Sequence, residues 1–186
     1  QFGIAQNEVI DRIDEIKQFN NIILDGIHIF NASRVLDAAA IINNVEKILA
    51  LSERLSALFQ VSWKYIDVGG GFGVPYFEKE NILNEKKLIA GLNSLFVKYH
   101  QHYPNTHFFI ELGRYLVAES GCLITSVCAT KKSHDKNYIV VDGGINCHLG
   151  VSGLVSFVHR NFPAKLISSC LVIAFCKKSY QVVGPL

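Results

Sequence analysis

Four glycines in five residues, Gly69, Gly70, Gly71 and Gly73, follow directly on the run Tyr65-Ile66-Asp67-Val68. Backbone amides in such a stretch carry no obstructing side chains and turn together toward an anion, for which phosphate is the natural guest. The spacing is neither the G-x-G-x-x-G of a dinucleotide site, because Val74 stands where the last glycine is needed, nor a P-loop, because no Gly-Lys-Ser/Thr follows. On its own, therefore, the run is either a phosphate cradle or a tight strand-to-loop turn with no ligand. A second group, Glu111-Leu112-Gly113-Arg114, closes another apolar run. A carboxylate with a glycine and an arginine beside it at a strand's end is either part of a ligand site or a rim pair in which Glu111 and Arg114 hold each other. The third runs from Gly26 to Ser33 and reads GIHIFNAS. Phe30 could lie on a flat ligand, although core packing is the commoner fate of a strand phenylalanine, and Ser33 could donate to phosphate. His28, between two isoleucines, reads as a core histidine rather than a ligand or base.

The elements that must position these groups follow from periodicity. Residues 22–30 form a β-branched, nearly continuous apolar run, which predicts a strand covered on both faces. Apolar residues at three- and four-residue intervals predict helices over 35–59 and 85–103, and residues 63–68 and 107–110 predict two further strands, the last delivering Glu111 at its end. Three strand–helix units in succession predict a parallel α/β arrangement. In a parallel barrel, ligands sit at the C-terminal ends of the strands, so Glu111 and the glycine run would face one mouth. After Ala118 the pattern changes to strands without intervening helices: 122–129, then 138–141 after a polar turn at 131–137, and Tyr180–Val183. The expected division is residues 1–118 and residues 119–186.

Composition narrows the functional classes. Hydrophobic residues make up 49% of the 186 and charged residues 18%, more apolar side chain than a small solvated domain needs, so the fold or a partner must cover it. The net charge of +2 is spread along the chain without a basic block, so nucleic acid is not an expected partner. The longest late apolar stretch, from Cys170 to Cys176, is far short of the ~20 residues a membrane span needs, and no membrane is expected. Five cysteines without a C-x-x-C pair argue against a disulfide framework or zinc site; no metal is expected, and a reducing cytoplasm is the simplest setting.

GIHIFNAS, GGGFG, ELGRY and VVDGG occur in this order at positions 26–33, 69–73, 111–115 and 140–144. Jointly they resemble the motifs of the fold-type III pyridoxal-phosphate decarboxylases, the group that includes the diaminopimelate, ornithine and arginine decarboxylases: a GxHxHxGS-like strand, a GGGF loop, an E-P-G-R-Y segment and a VDxG strand. The resemblance covers nearly the whole chain. It implies an α/β fold, the later half of an alanine-racemase-like TIM barrel in residues 1–118 followed by part of a C-terminal β-sandwich domain in 119–186, and a homodimer with active sites between subunits. It implies that Gly69, Gly70, Gly71, Gly113 and Arg114 hold the phosphate of pyridoxal 5'-phosphate, with a hydroxyl added by Ser33. Glu111 would sit against the pyridine nitrogen and keep it protonated, so that the ring accepts the electron pair released when carbon dioxide leaves the α-carbon of an amino acid. Phe30 stands where many relatives stack a histidine on the ring.

The departures from that pattern carry further expectations. No Y-A-V-K-x-N-like motif, which in relatives holds the lysine bound to the cofactor, occurs, and the cysteine and acidic residue that follow G-P-x in relatives are not found after Gly184-Pro185-Leu186. The chain is thus expected to be an internal fragment, inactive alone, of a parent decarboxylase. Between Asp142 and Gly150 there is no arginine of the kind that grips a distal carboxylate in diaminopimelate decarboxylases, which disfavours that substrate. The GIHIF, DGG-x-x-x-H and RNFP features resemble instead a biosynthetic branch acting on an amino acid or its carrier-bound form. His148 and Arg160 are candidate substrate contacts, each with a plain surface role as its alternative, and Cys147 reads as a structural thiol. Beside this reading stand a non-catalytic binding or regulatory relative, an amino-acid racemase, against which ELGRY and VVDGG tilt, and a dinucleotide-dependent oxidoreductase. The last needs an acidic residue about 20 positions beyond the glycines, at a strand end, where the pattern predicts a helix.

Overall fold

A computed structural model describes residues 3–152, 161–167 and 178–185. The chain divides into two units, Gln1–Pro75 with Glu80–Ser120, and Tyr76–Lys79 with Gly121–Leu186.

In the first unit the elements run α1 (Gln6–Asp11), α2 (Ile13–Lys17), β1 (Gly26–His28), α3 (Ala38–Phe59), β2 (Tyr65–Gly70), α4 (Glu85–His102), β3 (His107–Glu111) and α5 (Arg114–Val117). The three strands form a parallel sheet in the order β1-β2-β3. Helix α3 starts where Asp37 accepts a hydrogen bond from the Ala39 amide, and α4 where Asn84 accepts one from the Lys87 amide; both satisfy amides that a first turn leaves unpaired. Its buried stripe, Ala38, Ile41, Val45, Ile48, Leu49, Ser52, Leu55 and Phe59, recurs every three or four residues, as one helix face must. That stripe, with Leu88, Leu92, Leu95 and Tyr99 of α4, packs on the sheet face carrying Ile66 and Val68. Phe96 of α4 meets Phe108 of β3 at 5.1 Å between ring centres. Ser52 and Trp63 solve the polar problem inside this core: the indole donates to the Ser52 carbonyl, and Thr106 donates its hydroxyl to the Trp63 carbonyl.

In the second unit β4 (Val127–Ser133) and β5 (Lys136–Val141) pair antiparallel around the two-residue turn His134-Asp135, and β6 (Tyr180–Val183) adds to β5 in parallel. Helix α6 (Ile145–Ser152) lies between them in sequence and is kinked at His148. No described residue of this unit is buried.

The α/β class and the parallel strand–helix succession are as the sequence implies. Several boundaries are not. The strand expected over 22–30 contracts to Gly26–His28 and is not covered on both faces: Ile22 and Ile23 are 55% and 80% exposed, and the sheet face bearing His28 is open. The helix expected from 35 begins at Ala38, because Val35 is bridged to Phe72 and Asp37 caps. The strand expected over 122–129 begins only at Val127, and α6 breaks the expected run of strands without helices. The short helices α1 and α2 had no counterpart in the periodicity. Among the described residues no helix is long and apolar enough to cross a membrane, and Cys122, Cys128 and Cys147 are exposed free thiols. Cys170 and Cys176 lie outside the described residues.

Candidate cofactor site

The three parallel strands of the first unit end side by side, and two glycines are what bring their ends this close. A Cβ on Gly70 would lie 1.6 Å from the Glu111 carbonyl oxygen, so only glycine lets β2 run against β3 where Glu111 emerges. Gly71 has φ +77°, and a Cβ there would lie 2.0 Å from the Ala32 carbonyl oxygen. With that side open, the loop after β2 zips onto the segment after β1: the Val35 amide donates to Gly71 and the Gly73 amide to Val35, both at 2.8 Å. Asp67 adds an anchor, its Oδ1 accepting from the Gly69 amide at 2.9 Å.

This arrangement leaves a cleft of about 430 Å³ whose lining includes Phe30, Ser33, Gly71, Glu111, Gly113 and Arg114. Arg34 and Phe72 also border it. The Arg114 guanidinium donates to the Ser33 hydroxyl, which places a cation and a neutral donor together at one end of the sequence-predicted set. Glu111 does not pair with Arg114; its Oε2 accepts from His28 Nε2 at 3.2 Å. Phe30 is 53% exposed, its ring given to the cleft rather than to the core. Gly69 and Gly70 stand behind the loop, bordering a smaller hollow of about 130 Å³ with Val45 and Val68.

His28 is the main correction to the sequence reading. It is not a core histidine: β1 points Ile27 toward the helices and His28 to the open face, level with Asp67 on β2. His28, Asp67 and Glu111 each offer one side-chain atom within 4.8 Å of the others. The alternation of Ile27, His28 and Ile29 carried the signal, since neighbouring strand residues face opposite ways. Asp67, Tyr115 and Arg34 were also passed over. Tyr115 donates its hydroxyl to Glu85 at the start of α4 and meets the Phe72 ring edge-on at 5.8 Å. That hydrogen bond, helped by burial and by the charge of Glu85, pushes the phenol up to about 12. Arg34 takes the left-handed conformation, φ 59°, and pairs with Glu80.

His148 belongs to the second unit, where its ring lies 6.1 Å from that of Phe162. Arg160 lies outside the described residues.

Residues 1–118 match the family described as pyridoxal-dependent decarboxylase, pyridoxal binding domain. The chain belongs to this family. It is 27% identical over 168 residues to the L-glutamyl-[BtrI acyl-carrier protein] decarboxylase of Niallia circulans, covering 90% of this chain and 39% of that protein. It is 32% identical over 187 residues to a diaminopimelate decarboxylase of Helicobacter pylori, covering 100% of this chain and 42% of that one. Among solved structures it superposes on the diaminopimelate decarboxylase of Helicobacter pylori complexed with L-lysine with a TM-score of 0.72, at 29% identity, over 100% of this chain and 42% of that one. The chain thus spans about two-fifths of the length of the curated relatives it matches.

Proposed function

We propose that this chain supplies the phosphate- and ring-nitrogen-binding part of the cofactor site of a pyridoxal-phosphate-dependent amino-acid decarboxylase. The observation that carries the reading is one cleft that combines an Arg114–Ser33 pair with the carboxylate of Glu111, across the ends of β1 and β3 that flank β2. The residues fit the group. A phosphate monoester needs a cation, a hydroxyl donor and backbone that comes close without side chains, and Arg114, Ser33 and the Gly71 loop are of that kind. Gly113 has nothing within 4 Å of where a Cβ would stand, which keeps the cleft open beside Arg114. A protonated pyridine nitrogen needs a carboxylate, and Glu111 has one side-chain oxygen beyond the one that His28 holds. The face of Phe30 lies in the same cleft for a flat ring to rest on.

When bound, pyridoxal phosphate supplies the electron sink that decarboxylation at an α-carbon requires. The roles left to this chain are then to bind the phosphate through Arg114, Ser33 and the backbone at Gly71, to orient the ring against Phe30, and to keep a proton at the ring nitrogen through Glu111. The substrate we infer is an amino acid, free or carried on an acyl-carrier protein. The second form is supported by the similarity to a decarboxylase of a carrier-bound glutamyl group. His148 as a substrate contact, a homodimeric assembly and a cytoplasmic location are part of the same proposal and rest on the family resemblance and composition.

Binding of pyridoxine 5'-phosphate tests the reading, since its alcohol cannot condense with the chain's lysines. Native protein should bind it, and Arg114→Ala should weaken binding roughly ten- to a hundredfold, the loss of a charge-assisted hydrogen bond. Titration calorimetry decides. No binding by native protein, or an Arg114→Ala variant that binds as well, sinks the proposal.

A further inference from the structure

We propose that His28 is the positioning residue of Glu111, holding its carboxylate in the one orientation that presents a free oxygen to the ring nitrogen of the cofactor. The inference rests on the reading of the cleft given above and extends it to a residue with no direct part in holding the ligand.

Glu111 ends β3 with its side chain 49% exposed, so water and its own torsions would otherwise let the carboxylate rotate. A carboxylate has two oxygens, and His28 Nε2 takes only Oε2, at 3.2 Å. For that bond the hydrogen must sit on Nε2, since a carboxylate can only accept. Among the described residues the Glu111 carboxylate has no other hydrogen-bond partner, so Oε1 keeps its lone pairs for an N–H donor arriving in the cleft. The imidazole is itself placed by the sheet. His28 pairs in register with Asp67, and Asp67 is fixed by the Gly69 amide. Its carboxylate lies within 4.8 Å of both other groups. One turn of backbone therefore ties the phosphate loop and the ring-nitrogen partner together: Gly69 to Asp67, Asp67 beside His28, His28 to Glu111.

The test compares native protein, His28→Ala, His28→Gln and Glu111→Gln against three probes. These are pyridoxine 5'-phosphate, its analogue with CH in place of the ring nitrogen, and inorganic phosphate. His28→Ala should weaken pyridoxine 5'-phosphate about five- to tenfold. It should leave the other two probes within about twofold, because neither carries the group that Glu111 meets. His28→Gln, which keeps an N–H at similar reach, should restore most of the loss. The ultraviolet band of the bound 3-hydroxypyridine should shift toward the unprotonated-ring position in His28→Ala, and less in His28→Gln. Equal weakening of all three probes would show that His28 merely supports the fold, and the proposal falls. It falls as well if His28→Ala is silent toward pyridoxine 5'-phosphate while Glu111→Gln weakens it, and then the reading of the cleft survives alone. If native protein does not bind pyridoxine 5'-phosphate, or Glu111→Gln is also silent, the cleft itself has been misread.

Discussion

The two units hold their strands in place by different means. In the first, a helix layer buries Ile66 to 1% and Val68 to 4% exposure, so β2 is clamped from behind immediately before it delivers Gly69, Gly70 and Gly71. In the second, no described residue is buried, and β4, β5 and β6 are joined chiefly through their backbone ladders, with Val182 60% exposed. The residues that line the cleft are Glu111 at the end of β3 and the segments that follow the three strands of that first sheet. A cleft built on loops is placed only as well as the strands that carry them, so the packing behind β2 bears directly on the position of Gly71.

Core truncation is the sharpest way to break this comparison. Leu49, fully buried in α3, should cost about 2–5 kcal/mol as Leu49→Ala, the loss of its burial plus the cavity left behind. Val182→Ala in β6 removes side chain that is already mostly in water, and should cost under about 1 kcal/mol. Denaturant unfolding measures both. Similar costs at the two positions would mean that the second unit is packed as firmly as the first, and the contrast would be wrong.

A smaller effect separates two glycines of the cleft itself. Gly71→Ala forces a left-handed residue and a clash with the Ala32 carbonyl, and should cost about 1–3 kcal/mol or more. Gly113→Ala meets open space and has no left-handed φ, and should cost less than Gly71→Ala by about 1 kcal/mol or more. A large cost at Gly113 would show that the cleft is less open there than its geometry states.

What the sequence made legible follows the same division. Helices α3 and α4 were readable because burial on one face imposes a period of 3.6 on Ile41, Val45, Ile48, Leu55 and on Leu88, Leu92, Leu95, Tyr99. The cleft motifs were readable because glycine and arginine have few structural substitutes at such a turn. The strand over 22–30 was overread, since apolar Ile22 and Ile23 suggest burial that the sheet does not provide. Helix α6 was missed because Asn146, Gly150 and the kink at His148 leave no helical stripe to detect. His28 was misassigned for a different reason: its partner Glu111 lies 83 residues away, and only strand register brings the two together. Contacts set by register, unlike stripes set by period, leave no local mark.

Tyr115 offers the smallest effect and the finest test of how the loop is held. Its hydroxyl, donated to Glu85, ties the segment after β3 to α4 while its ring steadies Phe72, so the clamp reaches past β2 to the loop's far side. Tyr115→Phe keeps the ring and deletes the bond, and should cost about 0.5–1 kcal/mol after allowance for solvent screening. Its pH signature is more telling. The folded phenol is pushed up to about 12, first by the hydrogen bond to Glu85, whereas an unfolded tyrosine ionises near 10. Below pH 10 both states hold the proton and the contribution is complete. Between about 10 and 12 the unfolded state releases its proton first, so the folded state binds more protons and stability falls as pH rises. Burial raises Tyr99 and Tyr103 in the same direction, so native protein alone cannot isolate the effect. The difference between native and Tyr115→Phe in urea midpoint, measured at pH 9 and again at pH 11, can. The gap should narrow at the higher pH; a gap that stays constant would mean the phenol–carboxylate bond contributes nothing in solution, and that Phe72 is held by ring packing alone.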